Sequence, residues 1–493
     1  MKLLADLTPL RESLAFRRLW AGTTLSSVGG AMTMFAVTLQ VYDLTRSSAA
    51  VGLLGLVALV PLLAVGLPGG ALIDAVDTRR LVLGCTVALM AVSAALTAQA
   101  WPGAGQVWVL YALMAVESAI GAVNEPARRS LVPALLPPGQ LAAGLALQRI
   151  TFQLMSIGGP VLAGVVAAEP QLGLRDCYLI DTVSFAAALY GVGRLPSDNS
   201  KKRGARDAAE PSAKKRTEKR TEKAQESKAD WKERAGVSSV LAGFSFIGRT
   251  PVLAGAFGAD VAATFFGLPL SLFPAINAER FGADPRTLGL FTAAIGVGGL
   301  VTAVLSGPLR HLARQGAAML ASVAVWGAAF AVFALAHSLW LTLLALGVAG
   351  AADTITVVLR GTIASTVTPA EFRGRVLSAD YVVGAGGGQL GSLEAGAVGS
   401  LTTPVISALS GGLATIAAAI VIAAAVPAFR RYRAAVPGKP RADSLPAAVP
   451  AQNRLQPGQG PIIGPTVNRR FSSPNWYMTL ATRWIRVSSI LVG

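Results

Sequence analysis

Five ionisable residues lie inside long apolar stretches of this chain: Glu117, Asp260, Asp353, Arg360 and Glu394. Placing a charge near the middle of a membrane-length helix costs about 2.5–3.5 kcal/mol, so a charge found there marks a site or a specific helix–helix contact. A carboxylate in such a place exchanges protons or holds a cationic molecule; alternatively it hydrogen-bonds a neighbouring helix. Glu117 is the most central acid of the first half of the chain, and Asp260 has the matching depth in the second half. Asp353 and Arg360 share a helix face about two turns apart, too far for a tight pair. Arg360 is expected near a helix end. All five are candidates for proton or substrate binding.

The elements that hold these residues are apolar runs of membrane length. They fall at roughly 20–42, 50–73, 81–101, 107–124, 145–168 and 178–195, then at 252–276, 287–309, 317–336, 339–359, 378–401 and 404–428. About 20 apolar residues cross a bilayer as a helix. The chain has 493 residues, 53% hydrophobic and only 14% charged, against about 25% charged in soluble proteins. The expected fold is therefore an all-α integral membrane protein with twelve transmembrane helices in two six-helix bundles. The domains expected are a lead-in at 1–19, a first bundle at 20–195, a basic linker at 196–235, a second bundle at 236–430 and a disordered tail at 431–493.

Charge orients the spans. Arg79 and Arg80, Arg128 and Arg129, Arg310 and Arg314, and Arg373 and Arg375 read as loop charges on one side; the N-terminal segment and Arg430–Arg433 lie on the same side. The opposite loops are short and poor in positive charge. The positive-inside rule places both termini in the cytoplasm, and an even number of spans agrees. The formal charge of +17 is thus a topology signal, with no aromatic-laced basic face for nucleic acid. The linker lacks the large apolar residues that bury a core, and anionic lipid is a natural neighbour for it.

Other chemistries are not supported. No glycine loop followed by Lys-Ser/Thr is present, so direct ATP use is not expected. Two cysteines and two histidines assemble no metal-ligand spacing, disulfide framework or nucleophilic triad. No cofactor, no metal and no enzymatic activity are expected, and the chain is expected to be monomeric.

The stretch Gly69-Gly70-Ala71-Leu72-Ile73-Asp74 through Arg79-Arg80 resembles the loop between helices 2 and 3 of major facilitator transporters. A faded copy, Gly307-Pro308-Leu309 before Arg310 and Arg314, follows the eighth run. Parallel repeats of this kind are the major facilitator architecture. Further residues narrow the likeness: Phe16–Trp20, Tyr42–Ser47, Asn124–Arg128, Tyr178–Asp181, Phe266–Pro269, Ala352-Asp353 with Arg360, Thr368–Val376 and Leu390–Gly396. This set, over residues 10–430 without the linker, resembles the bacterial branch that includes the enterobactin exporter and macrolide-type efflux proteins. The resemblance implies a proton-driven exporter of siderophores or amphiphilic drugs in the cytoplasmic membrane of a bacterium. An uptake permease and a non-transporting scaffold or sensor stay open as alternatives.

The same residues suggest a working cycle. Asp74 at a helix end can meet the positive N-terminal end of another helix. Thr368-Pro369-Ala370-Glu371 reads as a helix start with Thr368 as N-cap and Glu371 completing a capping box. Asp74 with Arg79, Arg80, Glu371, Arg373 and Arg375 is the expected gate, although Thr78 stands where relatives carry a further basic residue. Gly159, Pro160 and Gly164 resemble the glycine-proline motif of antiporters and form the expected hinge. The arginine that drug antiporters carry inside span 4 is absent. Gln40, Gln148, Gln153, Phe152, Phe265, Phe266 and Trp326 are expected to line a cavity between the halves.

Overall fold

The computed structural model describes residues 7–101, 105–195, 237–305, 312–369 and 371–433, without the side chains of 67–75, 138, 142 and 237–239. These residues belong to one compact unit, Met1–Val436.

The first half comprises α1 (Leu14–Thr45), α2 (Ser48–Ala75), α3 (Thr78–Gln99), α4 (Val107–Leu135), α5 (Leu141–Ala168) and α6 (Leu174–Gly193). A helix at Val237–Arg249 leads the second half. Then come α7 (Pro251–Phe266), α8 (Pro285–Val304), α9 (Gln315–Leu335), α10 (Leu339–Val367), α11 (Arg373–Leu401) and α12 (Pro404–Ala425). Ten stretches among the described residues are long and apolar enough to cross a membrane. α6 and α11 are outside that set. α6 carries Arg175, Asp176 and Asp181, and α11 is rich in glycine and carries Arg373, Arg375, Asp380 and Glu394.

Local sequence explains the helix ends. Asp77, Ser338 and Thr403 accept a hydrogen bond from the backbone N–H three residues on, at the starts of α3, α10 and α12. Asp284 caps α8, with Pro285 in its first turn. Each cap satisfies a donor that the helix cannot satisfy itself. The seventh run is broken. α7 stops at Phe266, a 3-10 turn covers Leu270–Leu272, and a short helix resumes at Phe273–Arg280. Gly267 stands at the break. A Cβ there would lie 2.5 Å from the Trp326 indole nitrogen, which donates to the Gly267 carbonyl at 2.8 Å.

Three sequence expectations need correction. α4 does not end at residue 124; it continues through Pro126 and Pro133 to Leu135. Arg128 and Arg129 are therefore helix residues, and Arg128 is buried. The expected helix start at Thr368 does not form. Thr368 ends α10, its N–H bonding Ala364 O, and α11 begins at Arg373 behind Phe372. Arg360 lies a full two turns before the end of α10 and is buried, because that helix runs on to Val367.

Packing follows the residue types. α1 packs on α5 and α6, α2 on α4, α8 on α10, and α9 on α10 and α12. The second half has an aromatic core in which Phe291 meets Phe273, Phe281 and Phe333 edge-on. Large apolar side chains such as Trp340, Leu344, Val183 and Ile420 are exposed along the helices, as a lipid-facing surface requires.

The halves join along two helix pairs, α2 with α11 and α5 with α8. Glycines set both seams. A Cβ at Gly52 would lie 2.6 Å from Ser392 O, and one at Gly396 2.4 Å from Ser48 O. A Cβ at Gly164 would lie 2.6 Å from Pro285 O, and one at Gly289 2.5 Å from Pro160 O. Backbones this close exclude larger residues, as in other closely packed membrane helices. Polar contacts reinforce the same end. Ser400 Oγ accepts the Ala49 N–H at 2.8 Å, and Arg286 meets Glu169 at 3.8 Å. These contacts sit at the end carrying the α1–α2, α5–α6, α7–α8 and α11–α12 connections.

Candidate functional site

Three helices of the second half bring charge together. Arg360 of α10 donates through Nη1 to Asp260 Oδ2 of α7. Its Nε lies 3.2 Å from Asp380 Oδ1 of α11. The Phe257 ring, one turn before Asp260 on α7, lies 5.7 Å from the guanidinium carbon. Arg360 and Asp260 are 7% and 3% exposed. A buried charge is tolerated only when paired, and here the cation lies between two carboxylates. Gly384 leaves room on α11, where a Cβ would lie 4.0 Å from Arg360 Nη2.

Asp353 is on the same helix as Arg360, half-buried, and does not pair with it. It lies within electrostatic range of Asp260, Arg360 and, from α5 of the other half, Arg149. Arg149 itself stands over the exposed Phe152 ring at 5.1 Å. Of the five candidates, then, the structure gathers Asp260, Arg360 and Asp353. Glu117 and Glu394 stand apart. Glu117 Oε2 is sealed from solvent and has no hydrogen-bond partner; Glu394 is half-buried on α11 beside the α2 seam.

Asp380 is the member that reading the spans overlooked. It sits at the edge of the 378–401 run, where a charge passes for a loop residue. Its register shows only once the helix starts are known. Asp380 occupies the place in α11 that Gln148 occupies in α5, counted from the helix starts.

The first half has its own polar interior. Asp181 Oδ2 accepts from Thr33 at 2.8 Å and Ser93 at 2.9 Å, and Oδ1 accepts from Ser184 at 3.4 Å. Asp181 is mid-helix and ties α1, α3 and α6 together. Gln40 accepts from Tyr178 at 2.7 Å and from Gln99 at 3.0 Å. Gln40 and Trp326 are buried within their own halves, so neither lines a cavity between them. Phe152 is exposed, while Phe265 and Phe266 are half-buried and meet edge-on at 5.0 Å. Gln148 and Gln153 are half-buried on α5.

The expected gate residues are dispersed. Arg79 donates to Gly193 O at the end of α6, in its own half. Arg80, Glu371 and Arg373 are exposed, and Arg375 stands over Phe372. No contact joins these across the halves among the described residues. The Asp74 side chain lies outside the described residues, as do Arg310 and His311. Of the hinge residues, Pro160 and Gly164 form the α5–α8 seam, and Gly159 packs on Ala31 of α1. Among the described residues no group of three or more His, Cys, Asp or Glu is placed to hold a metal.

This architecture has known relatives. Residues 4–210 and 230–463 match the family described as transmembrane secretion effector. The chain is 24% identical to the enterobactin exporter EntS of Shigella boydii over 446 residues, covering 90% of this chain and 99% of the relative. The Escherichia coli exporter of the same name gives the same identity and coverage. The Shigella flexneri protein is 29% identical over 208 residues, 42% of this chain and 49% of that one. Among solved structures, nucleoside transporter NupG superposes with a TM-score of 0.64 at 12% identity, covering 85% of this chain and 100% of that one. A POT family transporter bound to 5-aminolevulinic acid gives 0.62 at 12% identity, with 85% and 97% covered. At such identities the structures show the fold alone. Spanning helices, the paired seams and the family match agree: the chain belongs to the transmembrane secretion effector family of major facilitator transporters, a multi-pass membrane protein and not an enzyme.

Proposed function

We propose that the chain exports a small amphiphilic molecule from the cell in exchange for protons, by alternating access. Twelve helices cross the membrane in this reading, six in each half, with both termini and the linker in the cytoplasm. The observation that carries it is the pair of seams. The halves are sealed by glycine-mediated contacts at one end of the helices, the arrangement of a protein whose halves rock about a central site. The buried Asp260–Arg360–Asp380 group lies off that seal, towards the opposite ends of the helices. The positive-inside rule makes the sealed end the outer one. The name of the full-length relatives supports export over uptake. Asp74, Arg79, Arg80, Glu371, Arg373 and Arg375 keep their proposed role at the cytoplasmic end; Arg79 acts there through α6. Glu117 and Glu394 stay second to the triad as proton sites, since neither faces a cation.

The test is proton movement in proteoliposomes under an imposed pH gradient, on adding fluorescent amphiphiles and siderophores. A compound-triggered proton flux that Asp260→Asn abolishes supports the reading. Compound accumulation on the cytoplasmic face, driven by the same gradient, would establish uptake and overturn it.

A further inference from the structure

We propose that Arg149 and Phe152 of α5 and Asp353 of α10 form the binding site for the transported molecule, and that this molecule is a zwitterion with an apolar body. Its anionic group meets Arg149, its body lies on the Phe152 ring, and its cationic group meets Asp353. The assignment names a substrate class within the proposed export and rests on that reading for its role in transport.

The site begins where the α5–α8 seam ends. A Cβ at Gly296 of α8 would lie 2.7 Å from Ile157 Cγ1 and 3.2 Å from Ser156 Oγ of α5. About one turn on, a Cβ at Gly299 would meet α10 instead, 2.9 Å from Thr354 Oγ1. Asp353, next to Thr354, is the middle residue of α10. It therefore stands just past the last of these α5–α8 contacts.

The faces of α5 show what lies across from it. Gly164, Pro160 and Ile157 turn to α8, and Gln153 and Arg149 continue that face at helical spacing. Thr151 turns to α1, where its hydroxyl lies 2.8 Å from that of Thr24, and Gly159 packs on Ala31 of the same helix. Phe152 falls between these two faces and is 47% exposed. The exposed Leu154 and Val165 lie on the opposite side of the helix, the side left for lipid. Phe152 thus faces the space between the halves rather than the bilayer.

Charge supplies the two ends. Arg149 stands over the Phe152 ring at 5.1 Å. Arg149 and Asp353 are within electrostatic range of each other, yet among the described residues neither has an ion pair. The neighbouring charges are engaged, because Arg360 holds Asp260 and Asp380. A cation of one half and an anion of the other therefore face a common space without an ion pair, with an exposed aromatic ring beside the cation.

A charge withdrawn from bulk water favours a partner of opposite sign. An exposed ring in a cleft favours an apolar or aromatic body. A zwitterion with an apolar body meets all three side chains at once, and it bridges the two halves in doing so.

Equilibrium binding to the full-length protein in nanodiscs reads the site without transport. Three naphthyl probes separate the charges: naphthylalanine carries both, naphthylpropionate only the acid and naphthylethylamine only the amine. Naphthylalanine should bind most tightly. Arg149→Gln should lower its affinity about tenfold or more, the loss expected for one charge-assisted hydrogen bond; it should also weaken naphthylpropionate and spare naphthylethylamine. Asp353→Asn should weaken naphthylalanine and naphthylethylamine and not naphthylpropionate. Phe152→Ala should weaken all three. Arg149→Lys and Asp353→Glu keep the charges and should retain binding, so they carry the test if a neutral variant does not fold. No binding of naphthylalanine, or losses that ignore probe charge, would overturn the site. Unchanged binding of all three probes together with lost flux would also overturn it and make Arg149 and Asp353 a gate. Charge-matched binding in a protein without compound-driven proton flux would refute the export reading and leave the site standing. Flux of compounds whose binding ignores Arg149 and Asp353 would do the reverse.

Discussion

Arg128 and Arg360 fall at the same position of two helices of equal length, α4 and α10, counted from their first residues. Both are buried, at 6% and 7% exposure. Their surroundings differ. Arg360 lies between Asp260 and Asp380. Arg128 donates to two hydroxyls, Ser26 and Thr86, each at 3.3 Å, and its Nε is unpartnered. One half has kept the arginine with acids around it; the other has kept it with hydroxyls. The contrast supports placing the proposed charge chemistry in the second half.

Replacing Arg360 should be costly. Arg360→Leu strands Asp260 as a buried carboxylate, and breaking such a pair from one side costs about 3–5 kcal/mol. Thermal unfolding in detergent should show a large loss for Arg360→Leu. The combination of Arg360→Leu with Asp260→Leu should recover most of it, because no sealed charge is left alone. Additive losses in the double variant would show that the two residues do not act as a pair.

Arg128→Leu should cost less. Ser26 also bonds Thr23 O and Thr86 bonds Val82 O, so neither hydroxyl is orphaned when the guanidinium goes. Two hydrogen bonds without a stranded partner are worth about 1–3 kcal/mol, offset in part by the cost of burying the guanidinium, which the substitution removes. An unfolding shift as large as that of Arg360→Leu would mean that a carboxylate depends on Arg128.

Much of this was legible in the chain. The lengths of the apolar runs exposed the helices, and ionisable residues inside them pointed to Asp260, Asp353 and Arg360. Three things were not. Arg128 read as a loop charge because Pro126 looks like a helix end, yet a membrane helix can absorb a proline and α4 does. Asp380 was hidden at the edge of its run. Thr368-Pro369 has the letters of a helix start, but its N–H was already committed to the last turn of α10. In each case a local signal lost to a tertiary or neighbouring contact that no single window contains.

Packing, more than charge, should hold the α5–α8 seam. Arg286 and Glu169 are about half exposed, and such a pair contributes about 0.2–1 kcal/mol. Exchanging them, Glu169→Arg with Arg286→Glu, should leave transport and unfolding nearly unchanged. Gly164→Val places carbon where Pro285 O already sits, so it should push the halves apart at this end. Distances between spin labels on α5 and α8 should lengthen in Gly164→Val and not in the exchanged pair. The opposite ranking would assign the seam to the ion pair.

A covalent tie across the α2–α11 seam tests the motion itself. Ser47 Oγ and Ser400 Oγ lie 3.5 Å apart, close enough for cysteines at both positions to approach disulfide geometry with small adjustments. The native thiols, Cys85 and Cys177, are replaced first by alanine to avoid side reactions; Cys177 is buried and Cys85 partly so. Under oxidant, Ser47→Cys with Ser400→Cys should form the bond in the sealed arrangement. A protein that works by opening this end must then stop, and reducing agent must restart it. Each single variant should transport throughout, because Ser400 contributes only one backbone hydrogen bond at Ala49 and a hydroxyl contact. Full transport by the cross-linked protein would mean that the seam never opens, and alternating access about these helices would be wrong.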